Sequence, residues 1–251
     1  MMRKLIYALA GLALAAGAAI APTAGAAAGA PYSWCTSDPG GGQSFGGFVV
    51  YSDEWNSKLP QQTCANSAAD VRVHAQMTPT NGHATCPVVL TCPDVQYNTP
   101  LTVSQLTRLR SYYTESQPQY PAAIGEFASD DWAGPSGGNS QAYEVMVWQD
   151  NQGQGPPPGQ PVTGISLAGQ SYRLYHSGGY FAFVRTANAA KGFIPHLAAF
   201  RYLIAHGYIA ADTVISQAEI GWEICTDPSG GGTYKLTRNK LMVNGQQIRG
   251  S

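Results

Sequence analysis

YEVMVWQ, residues 143–149, is the stretch on which the fold turns. Side chains alternate across a strand, so Tyr143, Val145 and Val147 share one face while Glu144, Met146 and Trp148 share the other. The first face is plain core. The second sets an acid beside a thioether and an indole. Burying a lone carboxylate there is costly, so that face is expected to line a cleft.

VISQAEIGWEIC (214–225) repeats the arrangement. Glu219, Gly221, Glu223 and Cys225 share one face, with Ala218, Ile220, Trp222 and Ile224 packed behind. Gly221, two residues before Glu223, is expected to clear room for a ligand to approach the sheet. FGGFVVYSDEW (45–55), DVRVHAQM (70–77), SYRLYHS (171–177), YFAFVRT (180–186) and YKLTRNKLMV (234–243) also read as strands, being rich in β-branched and aromatic residues. Many short strands between turn signals point to an all-β sandwich or closed sheet. One segment breaks the pattern. In residues 195–206, Leu197, Phe200, Leu203 and Ile204 fall at helical spacing, with Pro195 at the start and Gly207 past the end, which predicts a single helix. QGQGPPPGQP (152–161) is a stiff polar connection, read as a loop crossing the molecule.

The rest of the composition fixes the setting. Fifteen acidic residues against 14 basic ones leave a net charge of −1 in 251 residues, without the basic excess of a nucleic-acid binder. The 26 aromatic side chains (7 Phe, 5 Trp and 14 Tyr) exclude a disordered chain. Arg3 and Lys4 precede an apolar run from Leu5 to Ile20 and small residues through Ala30, the layout of a secretory signal peptide. Residues 1–30 are therefore expected to be removed, leaving 31–251 as one secreted domain with no membrane span. Cysteines stand at 35, 64, 86, 92 and 225. Export favours disulfides, and local pairing would join Cys35 to Cys64 and Cys86 to Cys92, although four cysteines allow three connectivities. Cys225 is then left over, as a buried thiol. With no CxxC pair and scattered histidines, neither metal nor other cofactor is expected.

If the strands of Glu144 and Glu223 lie in one concave sheet, the two acids flank a bound chain. Glycosidic cleavage needs such a pair: one carboxylate attacks or activates, and the other gives a proton to the leaving oxygen. The GxSxG elbow of a serine hydrolase is missing, and Gly-Asn-Ser at 138–140 lacks a strand-to-helix context. A GxxxxGK[ST] phosphate cradle is missing as well.

These segments resemble glycoside hydrolase family 12, secreted retaining endo-β-1,4-glucanases and xyloglucanases with a β-jelly-roll fold. YEVMVW resembles the family's nucleophile strand, and GWEI its acid/base strand. SDEWN resembles the Asn-x-Trp segment that lays a sugar on an indole, and GPPPG the cord that crosses the cleft.

The resemblance implies two antiparallel sheets, a concave cleft and one helix. It makes Glu144 the nucleophile and Glu223 the acid/base, with carboxyl groups about 5–5.5 Å apart. Trp55, Asp53, Met146, Trp148 and Pro156 become substrate contacts, and Cys35–Cys64 a disulfide. Glu126 is the best match to the carboxylate that supports the nucleophile. Asp53 replaces the family's Asn, and Cys225 stands where an aromatic is usual. The substrate implied is a β-glucan polysaccharide, the protein a monomer, with xyloglucan or mixed-linkage glucan as the alternative polymer. A binder that kept the cleft and lost turnover is the alternative of another class.

Overall fold

The computed structural model describes residues 31–55, 61–76, 90–121, 123–226 and 231–250. The expected signal peptide and Cys86 lie outside them, as does the side chain of Trp55. The first strands are β1 (Trp34–Thr36), β2 (Gly42–Phe45), β3 (Phe48–Tyr51), β4 (Glu54–Trp55), β5 (Gln61–Ser67) and β6 (Asp70–Ala75). Then come β7 (Leu90–Thr91), β8 (Asp94–Tyr97), β9 (Leu101–Thr102), β10 (Leu109–Ser116), β11 (Ile124–Pro135) and β12 (Tyr143–Gln152). The chain continues with β13 (Val162–Leu167), β14 (Gln170–Ser177), β15 (Tyr180–Arg185) and β16 (Lys191–Ile194). It ends with helix α1 (His196–Ala205), β17 (Thr213–Thr226), β18 (Gly232–Val243) and β19 (Gln246–Gln247).

Seven strands form one sheet, β1-β5-β6-β18-β10-β16 with β19 beside β18. The other twelve form the second, β13-β14-β15-β12-β11-β17-β8-β3-β2, with β7 and β9 also on β17 and β4 on β7. All the expected strands are present, with 45–55 divided among β2, β3 and β4 by a turn at Gly46, whose φ is +58°.

The core lies between the sheets and is built by alternation. Val145 and Val147 of β12 and Ile220, Trp222 and Ile224 of β17 are buried there with Leu109, Tyr113, Tyr234 and Leu241 of the opposite sheet. Phe127 links the layers, its ring 4.9 Å from that of Tyr113 and 5.5 Å from that of Trp222.

The sheets are antiparallel except at one seam: β12 and β15 run parallel. Parallel neighbours need a crossover, and residues 153–161, β13 and β14 supply it. The helix also forms as expected. Leu197, Ala199, Phe200 and Leu203 are buried, and Gly207 (φ +72°) closes the C-terminus. There Tyr208 N donates to Leu203 O at 2.9 Å and Gly207 N to Ile204 O at 3.0 Å, the paired bonds of a left-handed cap.

A disulfide joins Cys35 of β1 to Cys64 of β5, which face each other in the strand register. The other cysteine expectations are corrected. Cys92 is a free thiol, so it is not paired with Cys86, and Cys225 is disulfide-bonded rather than left over. The reason is a long-range pairing: β7 lies on the end of β17, Thr91 opposite Ile224, and this outweighs the short loop suggested by spacing.

Candidate active site

The centre of the twelve-stranded sheet is β11, with β12 on one side and β17 on the other. Alternation puts Glu126, Ala128 and Asp130 of β11 on the face away from the core. Met146 of β12 and Glu219, Gly221 and Glu223 of β17 share that face, and with Cys92, Asp94 and Trp222 these residues line a cavity of about 30 Å³. Glu144 is one step along β12 from Met146 on the same face. A larger cavity of about 560 Å³ lies beside α1 and carries Arg108, Arg110 and Arg201 but none of the candidate acids.

Glu144 and Glu223 are therefore brought to one face of one sheet. They are staggered across β11: Glu144 pairs with Trp132 and Glu223 with Glu126. Burial, and then the charge of Glu223, raises the Glu144 carboxyl to about 7. Gln154, at the start of the crossing segment, donates from Nε2 to Glu223 Oε2 at 3.2 Å. It is itself held by Asn151, whose Oδ1 accepts from Gln154 N at 2.8 Å.

Glu126 does not stand where the resemblance put it. Expected beside Glu144, it lies opposite Glu223. The carboxyl that neighbours Glu144 is Asp130, whose β12 partner Met146 is one same-face step away from Glu144. Burial first, then the charges of Glu144 and Glu223, holds Asp130 well above the usual carboxylate range. Asp94 and Glu219 are raised well above it too, each by burial first. Gln96 donates to Asp94 Oδ2 at 3.1 Å, and Gln217 donates to Glu219.

Tyr180 is a member of the site that sequence reasoning passed over. It opens β15, pairs with Glu144, and donates its hydroxyl to Met146 Sδ at 3.3 Å. Burial, then the charges of Glu223, Glu144, Glu126 and Asp130, raises its phenol. The only available signal was its place in the alternation of YFAFVRT, which puts Tyr180, Ala182 and Val184 on one face. Asp130 and Gln154 gave weaker signals: Asp130 lies in a segment from which only Glu126 was singled out, and Gln154 in the crossing segment from which only Pro156 was.

The remaining expected contacts divide. Met146 reaches the cavity; Trp148 is 2% exposed and does not line it. Asp53 is exposed, and its carbonyl accepts Cys92 N–H at 2.7 Å. Pro156 is exposed while Pro157 is buried. Their segment leaves β12 near Glu223 and reaches β14 at Gly159, where an added Cβ would meet His176 O at 2.5 Å, so it passes from β12 to β14 as a cord. Gly221 has a different reason from the one expected. A Cβ there would come within 2.3 Å of Pro93 O and 2.8 Å of Asp94 Cα, so the glycine admits the neighbouring backbone. Among the described residues no group of His, Cys, Asp and Glu could hold a metal ion.

Comparison with known proteins agrees with this fold. Among curated proteins none matches the chain. Several solved structures share its fold. The xyloglucanase domain of NopAA from Sinorhizobium fredii, in complex with cellobiose, is 19% identical with a TM-score of 0.73, covering 84% of this chain and 99% of that one. The native family 12 xyloglucanase of Bacillus licheniformis is 19% identical with a TM-score of 0.70, covering 84% and 100%. Endoglucanase 3 of Trichoderma harzianum, from family GH12, is 21% identical with a TM-score of 0.73, covering 86% and 100%. Residues 46–244 match the model of glycosyl hydrolase family 12, a span holding all the strands that carry the clustered acids, and the chain belongs to that family, with its β-jelly-roll.

Proposed function

We propose that this family 12 glycosyl hydrolase is an exported endo-β-1,4-glucanase, cleaving internal bonds of a β-glucan with retention of configuration. The observation that carries the reading is that Glu144 and Glu223 share one face of one sheet, near enough for the charge of Glu223 to act on Glu144. Retaining cleavage needs two such carboxyls with one proton between them. In the first step ionised Glu144 attacks the anomeric carbon while protonated Glu223 gives its proton to the leaving oxygen. In the second, Glu223 takes a proton from water, which displaces Glu144. Gln154 orients Glu223, and the Tyr180–Met146 pair forms the floor beside Glu144. Export is supported by the layout of residues 1–30 and by the disulfide state of Cys35, Cys64 and Cys225, which suits an oxidising compartment.

The finer choice of polymer is informed by two neighbours that are xyloglucanases and one that is an endoglucanase. The test is release of reducing ends from cellulose, mixed-linkage glucan and xyloglucan by the protein and its Glu144→Gln and Glu223→Gln variants. Activity on a β-glucan, lost in both variants, supports the reading. Unchanged release by both removes the assigned roles, and binding without hydrolysis by the unmodified protein identifies a binder.

A further inference from the structure

One polar group of the cleft has requirements that the surrounding protein does not meet. Glu126 is 0% exposed, and no other residue donates a hydrogen bond to either of its side-chain oxygens, its own backbone N–H being the one donor near them. It stands directly opposite Glu223 in the register of β11 and β17, and the two line the same cavity. The side chain within hydrogen-bonding reach of Glu126 is the carboxyl of Glu223.

Ionised carboxylates are acceptors only, so two of them cannot bond each other, and an unpaired charge out of water is costly. A single proton resolves both difficulties. It cancels one charge and turns one oxygen into a donor aimed at the other carboxyl. We propose that Glu126 and Glu223 share one proton, with Glu126 a positioning residue that holds the leaving-group proton at Glu223.

The surroundings favour this arrangement. Among the described residues the titratable groups around the pair are Asp130 on β11, Glu144 on β12, Tyr180 on β15, Glu219 on β17, Asp94 at the start of β8 and Cys92 just before it, and none of them is a cation. Gln154 donates to Glu223 alone. Burial, then the charges of Glu223 and Asp130, keeps Glu126 well above the usual carboxylate range, in the direction a shared proton requires.

The consequence for turnover rests on Glu223 being the acid/base. As the C–O bond breaks and Glu144 bonds to the sugar, the shared proton leaves with the departing oxygen. Two carboxylates then face each other. Their repulsion makes Glu223 a stronger base for the water that attacks in the second step, and the proton taken from that water restores the pair.

The experiment combines two readouts. Infrared titration of the ligand-free protein follows the protonated carboxyl band, and kcat/KM on a neutral soluble β-glucan is followed against pH. Glu126→Gln is expected to remove the shared-proton band and move the alkaline limb about one pH unit lower, about a tenfold loss on that side. Glu126→Asp should restore part of both. Glu223→Gln should remove the same band, which keeps the test open should Glu126→Gln fail to fold. A band unaltered by either substitution, or an alkaline limb unmoved in folded Glu126→Gln, overturns the proposal. Full activity in Glu223→Gln with the band lost would instead retain the shared proton and remove the acid/base reading.

Discussion

His196 Nδ1 stands 2.7 Å from Asp131 Oδ2 with neither side chain exposed, and His196 Nε2 stands 2.9 Å from Ser111 Oγ. The three groups have the order of a serine-hydrolase triad but are sealed between the sheets, Ser111 being 3% exposed. Their role is mechanical. Asp131 comes from β11, Ser111 from β10 and His196 from the first turn of α1, so one imidazole ties the helix to both layers. Asp131 Oδ1 also accepts Glu219 N–H at 3.3 Å, which extends the tie to a strand of the cleft.

Replacing His196 by Ala should therefore leave the Asp131 carboxylate buried without its main partner. Leaving one partner of a buried hydrogen bond unsatisfied costs about 1–3 kcal/mol. Urea unfolding of His196→Ala measures it, and a loss under about 1 kcal/mol would show that the tie contributes little.

Stability should fall as pH rises. In the core, burial first and then the charge of Asp150 raises Glu115 from 4.5 to about 8. An acid whose folded value is raised binds its proton more tightly folded than unfolded, so the native state gains in acid. That gain is lost as pH climbs from 4.5 through about 8. Each tenfold difference in proton affinity between the folded and unfolded chain is worth about 1.4 kcal/mol, and Glu126, Asp130, Asp94 and Glu219 act in the same direction. Melting curves across this range should show Tm decreasing towards alkaline pH, with a shallower slope in Glu115→Gln. A Tm that rises with pH would contradict the assignment.

The strands of Glu144 and Glu223 were legible because each has one apolar face, and α1 was legible from its spacing and Gly207. β11 was not. Its sequence, IGEFASDDWAGP, gives Glu126 and Asp130 to the cleft and Asp131 to the core, so acids fall on both faces and alternation fails. The carboxyl that neighbours Glu144 was misplaced for that reason, since a bulge at Phe127 and Ala128 shifts the register. Cys92 was wrongly expected to be paired because spacing along the chain says nothing of β7 meeting β17.

Asp130 should serve Glu144 as a neutral donor, since burial and then the charges of Glu144 and Glu223 favour its protonated form. Asp130→Asn preserves a neutral donor and should keep kcat within about tenfold. Asp130→Ala removes it and should lose about 10²–10⁴. Equal losses in both variants, measured on a neutral β-glucan, would mean that the proton on Asp130 is not used.

Gly221→Ala places a methyl group 2.3 Å from Pro93 O. Backbone must move, at a cost of about 1–3 kcal/mol, and β8 carries Asp94 with it. Both Tm and kcat should drop. Full activity in Gly221→Ala would show that β8 yields freely.

The small cavity is lined by five carboxyl groups, Asp94, Glu126, Asp130, Glu219 and Glu223, and by no Lys or Arg among the described residues. As rising pH takes the protons from these raised acids the wall comes to repel anions, and salt weakens that repulsion. Carboxymethylated cellulose should show a KM that falls as ionic strength rises, while an uncharged polymer should not respond. A neutral polysaccharide is therefore expected to be favoured over a charged one on the alkaline side, and an assay on an anionic derivative to understate activity there.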